Sequence, residues 1–204
     1  MLNYEIFKEA AIALFDVYYG KSPLCFPKYF NKDIKEFRIS EQESRIILSN
    51  YFFTNHIPFA VEVPTETKHC FTGSVPKSAR YDLVTYDKES YDKKSYKIKN
   101  IIELKAHNPE EEQIRKDIEK FACSDLDCIW FHTLVKADAN TYKTLLKKIN
   151  NAIESERDKI AGSHKWDFVI VVLDTKELFV YSKIISKDDI ITLDSINSFS
   201  KILP

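Results

Sequence analysis

Apolar residues recur along this chain at two different spacings, and the changes between them divide it into elements. Ile6, Ala10, Leu14 and Val17 fall three or four residues apart, which predicts a helix from the capping residue Asn3 to about Tyr19, with Gly20 as its stop. From Lys21 to Arg38, Pro23 and Pro27 sit among mixed aromatic and charged residues, so this stretch reads as irregular or as one short helical turn. A second helix starts at Ser40, where Ser40 and Glu43 have capping-box spacing and Ile46, Ile47, Tyr51 and Phe52 supply an apolar side. The pattern then alternates. Phe59 to Val63 predicts a strand ending at Pro64, Thr65 to Ser78 a loop, Arg80 to Tyr86 a second strand, Asp87 to Lys97 a solvated hairpin tip, and Ile101 to Ala106 a third strand.

Helical spacing returns after Ala106. Asn108 is a cap residue, Pro109 suits a first helical position, and Glu110, Glu111 and Glu112 complement the dipole of a helix whose core stripe is Ile114, Ile118 and Phe121. Cys128 to Val135 carries large side chains on both faces, as a strand deep in a sheet would. A long helix from Asn140 to about Ala161 follows, then strands from Trp166 to Leu173 and Glu177 to Ile184 around a turn at Asp174, Thr175 and Lys176. The tail after Ser186 is weakly patterned. The order is that of an α/β chain with a central sheet flanked by helices: α-β-β-β-α-β from about 40 to 135, with an added N-terminal helix and a C-terminal α-β-β. These last elements either cover the sheet or form the face of a homodimer.

Composition narrows the class. A chain of 204 residues, 44% hydrophobic and 30% charged, suffices for one well-cored domain spanning 1–204. No apolar run approaches the ~20 residues of a membrane span, and the start Met1-Leu2-Asn3-Tyr4-Glu5 lacks the basic opening of a signal peptide, so the expected compartment is the cytoplasm. The cysteines Cys25, Cys70, Cys123 and Cys128 are scattered and include no Cys-x-x-Cys pair, which favours reduced thiols over a zinc site built from Cys123, Cys128 and His132. With only three glycines there is neither a P-loop nor a dinucleotide fingerprint. The net charge of −1 excludes the broad basic surface of many nucleic-acid binders; even Lys88 to Lys120 balances nine Lys/Arg against eight Asp/Glu.

The chemistry-bearing stretch runs from Arg80 to Ala106. Strand side chains alternate, so Glu103 and Lys105 share a face, as do Arg80, Asp82 and Val84. A register placing Asp82 opposite Glu103 would bring two carboxylates and an ammonium onto one surface. Two close carboxylates repel each other and call for a cation, and a hard divalent ion takes such oxygens together with water and substrate phosphate. These residue types suit metal-assisted hydrolysis of a phosphodiester.

Arg80-Tyr81-Asp82 followed by Ile102-Glu103-Leu104-Lys105 resembles the PD-(D/E)xK, or restriction-endonuclease-like, nuclease superfamily, with Tyr81 at the position of the family's proline. The resemblance implies a restriction-endonuclease-like core, Asp82 and Glu103 as ligands of Mg²⁺ (Mn²⁺ as substitute), Lys105 as the catalytic lysine, and nucleic acid, DNA above RNA, as substrate. It further implies an acidic residue on the helix before the sheet, for which Glu43 is the candidate and Glu41 the second, and polar residues on the following helix, for which Gln113 and Lys116 are candidates. Glu62 points to the cleft rim or to solvent, and His69 lies in the loop leading into Asp82. The rival reading is a catalytically inactive nuclease-fold protein that binds nucleic acid or another protein.

Overall fold

Backbone hydrogen bonding in the computed structural model, which describes residues 4–25, 40–69, 77–135, 137–160, 165–173, 177–185 and 200–203, gathers seven strands into one sheet whose spatial order follows the chain. The strands are β1 (Phe59–His69), β2 (Lys77–Tyr86), β3 (Ile98–Ala106), β4 (Asp127–Val135), β5 (Trp166–Leu173), β6 (Leu178–Ile185) and β7 (Ser200–Leu203). The helices are α1 (Tyr4–Tyr18), α2 (Glu41–Thr54), α3 (Lys88–Asp92), α4 (Glu111–Ala122) and α5 (Ala139–Glu156). Antiparallel pairing joins β1 to β2 and β2 to β3; β3, β4 and β5 run parallel, each step crossing over through a helix; β6 and β7 return antiparallel. A mixed sheet of this kind needs cover on both faces. Helices α4 and α5 pack on the face carrying Val84, Ile101, Trp130, Phe168 and Ile170, whereas α1 and α2 pack on the face carrying Leu83, Ile102, Leu104, Phe131 and Val169. Among the described residues no helix is long and apolar enough to cross a membrane.

Local chemistry sets the ends of several elements. Helix α1 buries the expected Ile6, Ala10, Leu14 and Val17. It stops at Gly20, whose φ of 69° lets its N–H reach the carbonyl of Val17 while Lys21 N–H reaches Asp16. In α2 the backbone N–H of Ser40 donates to Glu43 Oε2 at 2.9 Å, closing the capping box. The buried side of α2 is Ser44, Leu48 and Phe52, with Ile47 and Tyr51 at its edge. Ile46, expected on that side, is 52% exposed, because the helix is turned to seat Ser44 Oγ against Thr133 Oγ1 at 3.1 Å.

Three expected boundaries move. Strand β1 continues past Pro64, since it lies at the sheet edge, where a missing donor costs no ladder bond on the open side; the register shifts between Pro64 and Lys68. The connection from β2 to β3 contains the single turn α3, capped by Asp87, whose Oδ2 accepts from Ser90 N–H at 2.9 Å. Helix α4 begins at Glu111, two residues later than Pro109 suggests, because Glu110 is the cap and forms the reciprocal box with Gln113. Most of the stretch expected to be irregular (residues 26–39), the turn at Asp174 to Lys176 and most of the tail after Ser186 lie outside the described residues.

Candidate active site

The sheet register brings acidic residues from three adjacent strands into one row. Pairs Val61↔Leu83 and Val63↔Tyr81 bracket Glu62 and Asp82, setting them opposite each other across β1 and β2. One step beyond the pair Leu83↔Ile102, the same count sets Asp82 opposite Glu103. Like charges placed directly across a sheet repel, so the row requires cations. It lies toward the carboxyl end of β3, the end of parallel strands at which α/β sheets place their ligands.

Helix α2 supplies the first cation. Arg45 donates from Nη2 to Asp82 Oδ1 at 2.8 Å, and its Nη1 lies 2.6 Å from Glu62 Oε1. The buried Nε–H of Arg45 has no partner among the described residues. The other oxygen of Asp82, Oδ2, accepts the backbone N–H of Leu104 at 2.8 Å, so this carboxylate bridges β2 and β3 beyond their last ladder pair. Glu62 has a φ of 52°, a left-handed backbone uncommon outside glycine, at the point where the row begins.

Helix α4 supplies a second cation and a further carboxylate. Lys120 Nζ lies 2.6 Å from Glu103 Oε1 and 2.7 Å from Asp117 Oδ1, and donates to the carbonyl of Arg80 at 3.1 Å, which uses the three protons of an ammonium. Lys105 Nζ lies 2.8 Å from Asp117 Oδ2 and 3.5 Å from Glu41 Oε1, donates to the carbonyl of Leu104 at 3.0 Å, and sits over the Trp130 ring. A chain of alternating charge therefore runs Glu41, Lys105, Asp117, Lys120, Glu103.

Burial sharpens these interactions. Glu103 is 1% exposed, and its burial, together with the neighbouring Asp117, pushes its carboxyl well above the usual range against the pull of Lys120. Burial also raises Glu41, with Lys105 opposing. For Asp117 burial acts upward as well, but the ammoniums of Lys120 and Lys105 outweigh it and hold the carboxyl below its ordinary value. Burial disfavours the charged form of Lys105, yet Asp117 and Glu41 more than offset this and keep its ammonium above the ordinary lysine range. By formal charge, with every carboxyl ionised, Glu41, Glu62, Asp82, Glu103 and Asp117 outnumber the cations Arg45, Lys105 and Lys120 by two.

Of the residues singled out in the sequence, Asp82, Glu103 and Lys105 come together. Glu43 is held by the helix cap through Ser40, and it is Glu41, one turn-edge earlier, that reaches Lys105. Gln113 Oε1 accepts the Glu110 N–H at 3.1 Å, which ties it to the cap of α4, and Lys116 pairs with Glu112 on the same helix at 2.8 Å. Glu62, expected at the cleft rim or in solvent, is tied to Arg45. His69 ends β1, and its side chain lies outside the described residues. His132 is fully buried: Nδ1 accepts from Trp130 Nε1 at 3.3 Å and Nε2 faces the His107 carbonyl at 2.6 Å, which makes it a core histidine.

The sequence reading passed over Arg45, Asp117 and Lys120. Asp117 had a visible signal, for it falls three residues after Ile114 and four before Phe121, beside the apolar stripe of α4, whereas Lys120 shares the polar side of Gln113 and Lys116. Arg45 had none, because Glu41 and Arg45 at i,i+4 look like an ordinary surface pair.

The carboxylate oxygens of Asp82 and Glu103 are of the type that hard divalent cations take, and Mg²⁺ requires only one or two carboxylates from protein. Among the described residues no group of three or more His, Cys, Asp or Glu side chains is arranged as a metal cage. The chemistry of the donor set and its excess of two negative charges fit a divalent cation. No family model, no curated protein and no solved structure matches this chain.

Proposed function

We propose that this chain is a metal-dependent nuclease with a restriction-endonuclease-like core, hydrolysing phosphodiester bonds of nucleic acid, DNA in preference to RNA. The observation that carries the reading is the meeting of Asp82, Glu103 and Lys105 at the end of β3, flanked by one helix before the sheet and one after it. Asp82 and Glu103 would hold Mg²⁺. When bound, the ion supplies positive charge to the phosphoryl oxygens and acidifies a water. Lys105 orients the attacking water and opposes the charge that builds on the phosphate. Asp117 positions Lys105 and Lys120, Lys120 holds Glu103, and Arg45 holds Asp82, each at ion-pair distance. Glu41 takes the place first assigned to Glu43 as the acidic residue from the preceding helix.

The rival is a non-catalytic nucleic-acid or protein-binding module on the same fold. It draws on the near-neutral net charge and on the cations already seated at Asp82 and Glu103. A cleavage assay over single- and double-stranded DNA and RNA with Mg²⁺ or Mn²⁺ separates the two. Asp82→Asn, Glu103→Gln and Lys105→Met should each lower cleavage by at least ~10²-fold, the scale of losing one strong electrostatic stabiliser of a transition state. Their thermal melts show that the variants are folded. Wild-type cleavage by a folded Lys105→Met protein would overturn the assignment, and Asp82→Asn, at the more accessible carboxylate, guards against loss of fold in the other two.

A further inference from the structure

A cavity of about 650 Å³ adjoins the charged row on the side of α4. Its wall includes Tyr81, Tyr86 and Ile98 from the sheet, Tyr96 and the cationic Lys97 from the β2–β3 connection, and the carboxylates Glu66 and Asp125. Cys123, also on the wall, lies one helical turn beyond Lys120, which sets this side of the cavity next to the cluster. Its volume falls among those of sites for small organic ligands, ~300–1,000 Å³, and its lining follows their pattern of aromatic rings with a few polar groups.

The rings are held in place. Tyr96 meets Tyr86 at a centroid distance of 6.2 Å and Tyr91 at 5.6 Å, with interplanar angles of 73° and 80°. Its backbone has a φ of 49°, a conformation that bulky side chains rarely adopt and that is kept where a site requires it. Yet Tyr96 is 53% exposed, so the strained backbone presents a ring that the core does not need. Tyr81, by contrast, is buried.

We propose that this cavity takes one unpaired nucleobase of the bound strand, stacked on the tyrosines, with Lys97 at its rim meeting the adjoining phosphate. The inference rests on the nuclease reading for its choice of ligand. Stacking platforms of this kind accept a planar base by its face and tolerate any base, and Lys97 is the group on this wall that can meet a phosphate. The cavity would then set the position of the strand relative to Asp82 and Glu103.

The test is binding without cleavage. Fluorescence anisotropy in EDTA compares a short labelled thymidine oligonucleotide with a deoxyribose-phosphate oligomer of equal length that lacks bases. The wild-type chain should prefer the oligonucleotide by about fivefold or more, the lower end of what one stacked base contributes. Tyr96→Asn, which removes the ring but suits the left-handed backbone, should abolish that preference, and Tyr96→Phe should keep it. Equal affinity for the two probes, no measurable binding of either, or an unchanged preference in folded Tyr96→Asn overturns the proposal. The outcome is independent of catalysis: a base preference without cleavage in Mg²⁺ sinks the nuclease reading alone, and cleavage without a base preference sinks the cavity alone.

Discussion

A buried carboxyl in this chain stays ionised only as far as a counter-charge reaches it. Asp117, between two ammoniums, is held below its ordinary value, whereas Asp167, 1% exposed with the Ser182 hydroxyl donating to its Oδ1 at 2.8 Å, is pushed up by burial to about 6. A folded-state value above that of the unfolded chain means that the native state binds the proton more tightly. Its contribution is therefore full below about pH 4 and is lost as pH rises through about 6. Asp167→Asn, which keeps an acceptor for Ser182, should be more stable than the wild type at pH 7 by up to about 3 kcal/mol, at ~1.4 kcal/mol per pKa unit, and indistinguishable from it near pH 4. Urea denaturation at both pH values measures this, and a difference that does not change with pH would refute it. His132 works in the opposite sense: burial lowers it to about 4, so its contribution is present above about pH 6.5 and lost on acidification. The two groups offset each other between pH 4 and 6.

At the scale of elements, α2 assigns different work to two glutamates two residues apart. Glu43 is buried at the cap and bonded to Ser40, while Glu41 reaches toward Lys105. Ser40→Ala should cost about 1 kcal/mol, the usual value of an N-cap, and leave cleavage unchanged. Glu41→Gln should barely alter melting but lower cleavage, because the negative charge beside Lys105 is lost. Equal turnover for wild type and Glu41→Gln across a Mg²⁺ titration would confine Glu41 to the surface. The strands were the legible part of this site. Period two fixes which face Asp82, Glu103 and Lys105 share, and the hairpin of β2 and β3 fixes their register, so local sequence carries the information. Helix contributions were harder to read, since a helix offers several polar stripes and only packing selects one. Gln113, Lys116 and Lys120 share one polar side of α4 by spacing, and of these it is Lys120, with Asp117, that is buried against the sheet. The expected stop at Pro64 failed for a similar reason: the rule against proline holds for strands paired on both sides, and edge position is a property of the whole sheet.

At the scale of the molecule, a chain of nearly zero net charge concentrates an excess of two negative charges in one cluster, where burial makes them costly. A divalent cation that binds the folded state alone would remove that excess and stabilise by RT ln(1 + [L]/Kd), about 2.7 kcal/mol at a hundredfold excess over Kd. Mn²⁺ should therefore raise the melting temperature of the wild type. The metal-free Asp82→Asn protein should melt somewhat lower than wild type, because Arg45 loses its partner while an amide oxygen can still accept from Leu104. Its response to Mn²⁺ should largely disappear, since one of the two carboxylates that would hold the ion has lost its charge. Arg45 and Lys120 must yield part of their ion pairing when metal enters, which weakens apparent binding, so the titration should extend to millimolar Mn²⁺ with a short non-cleavable oligonucleotide present. Identical shifts in wild type and Asp82→Asn would mean that the two carboxylates do not share a metal. The cluster would then be a closed set of ion pairs, and the binding module would displace the nuclease as the better account of this fold.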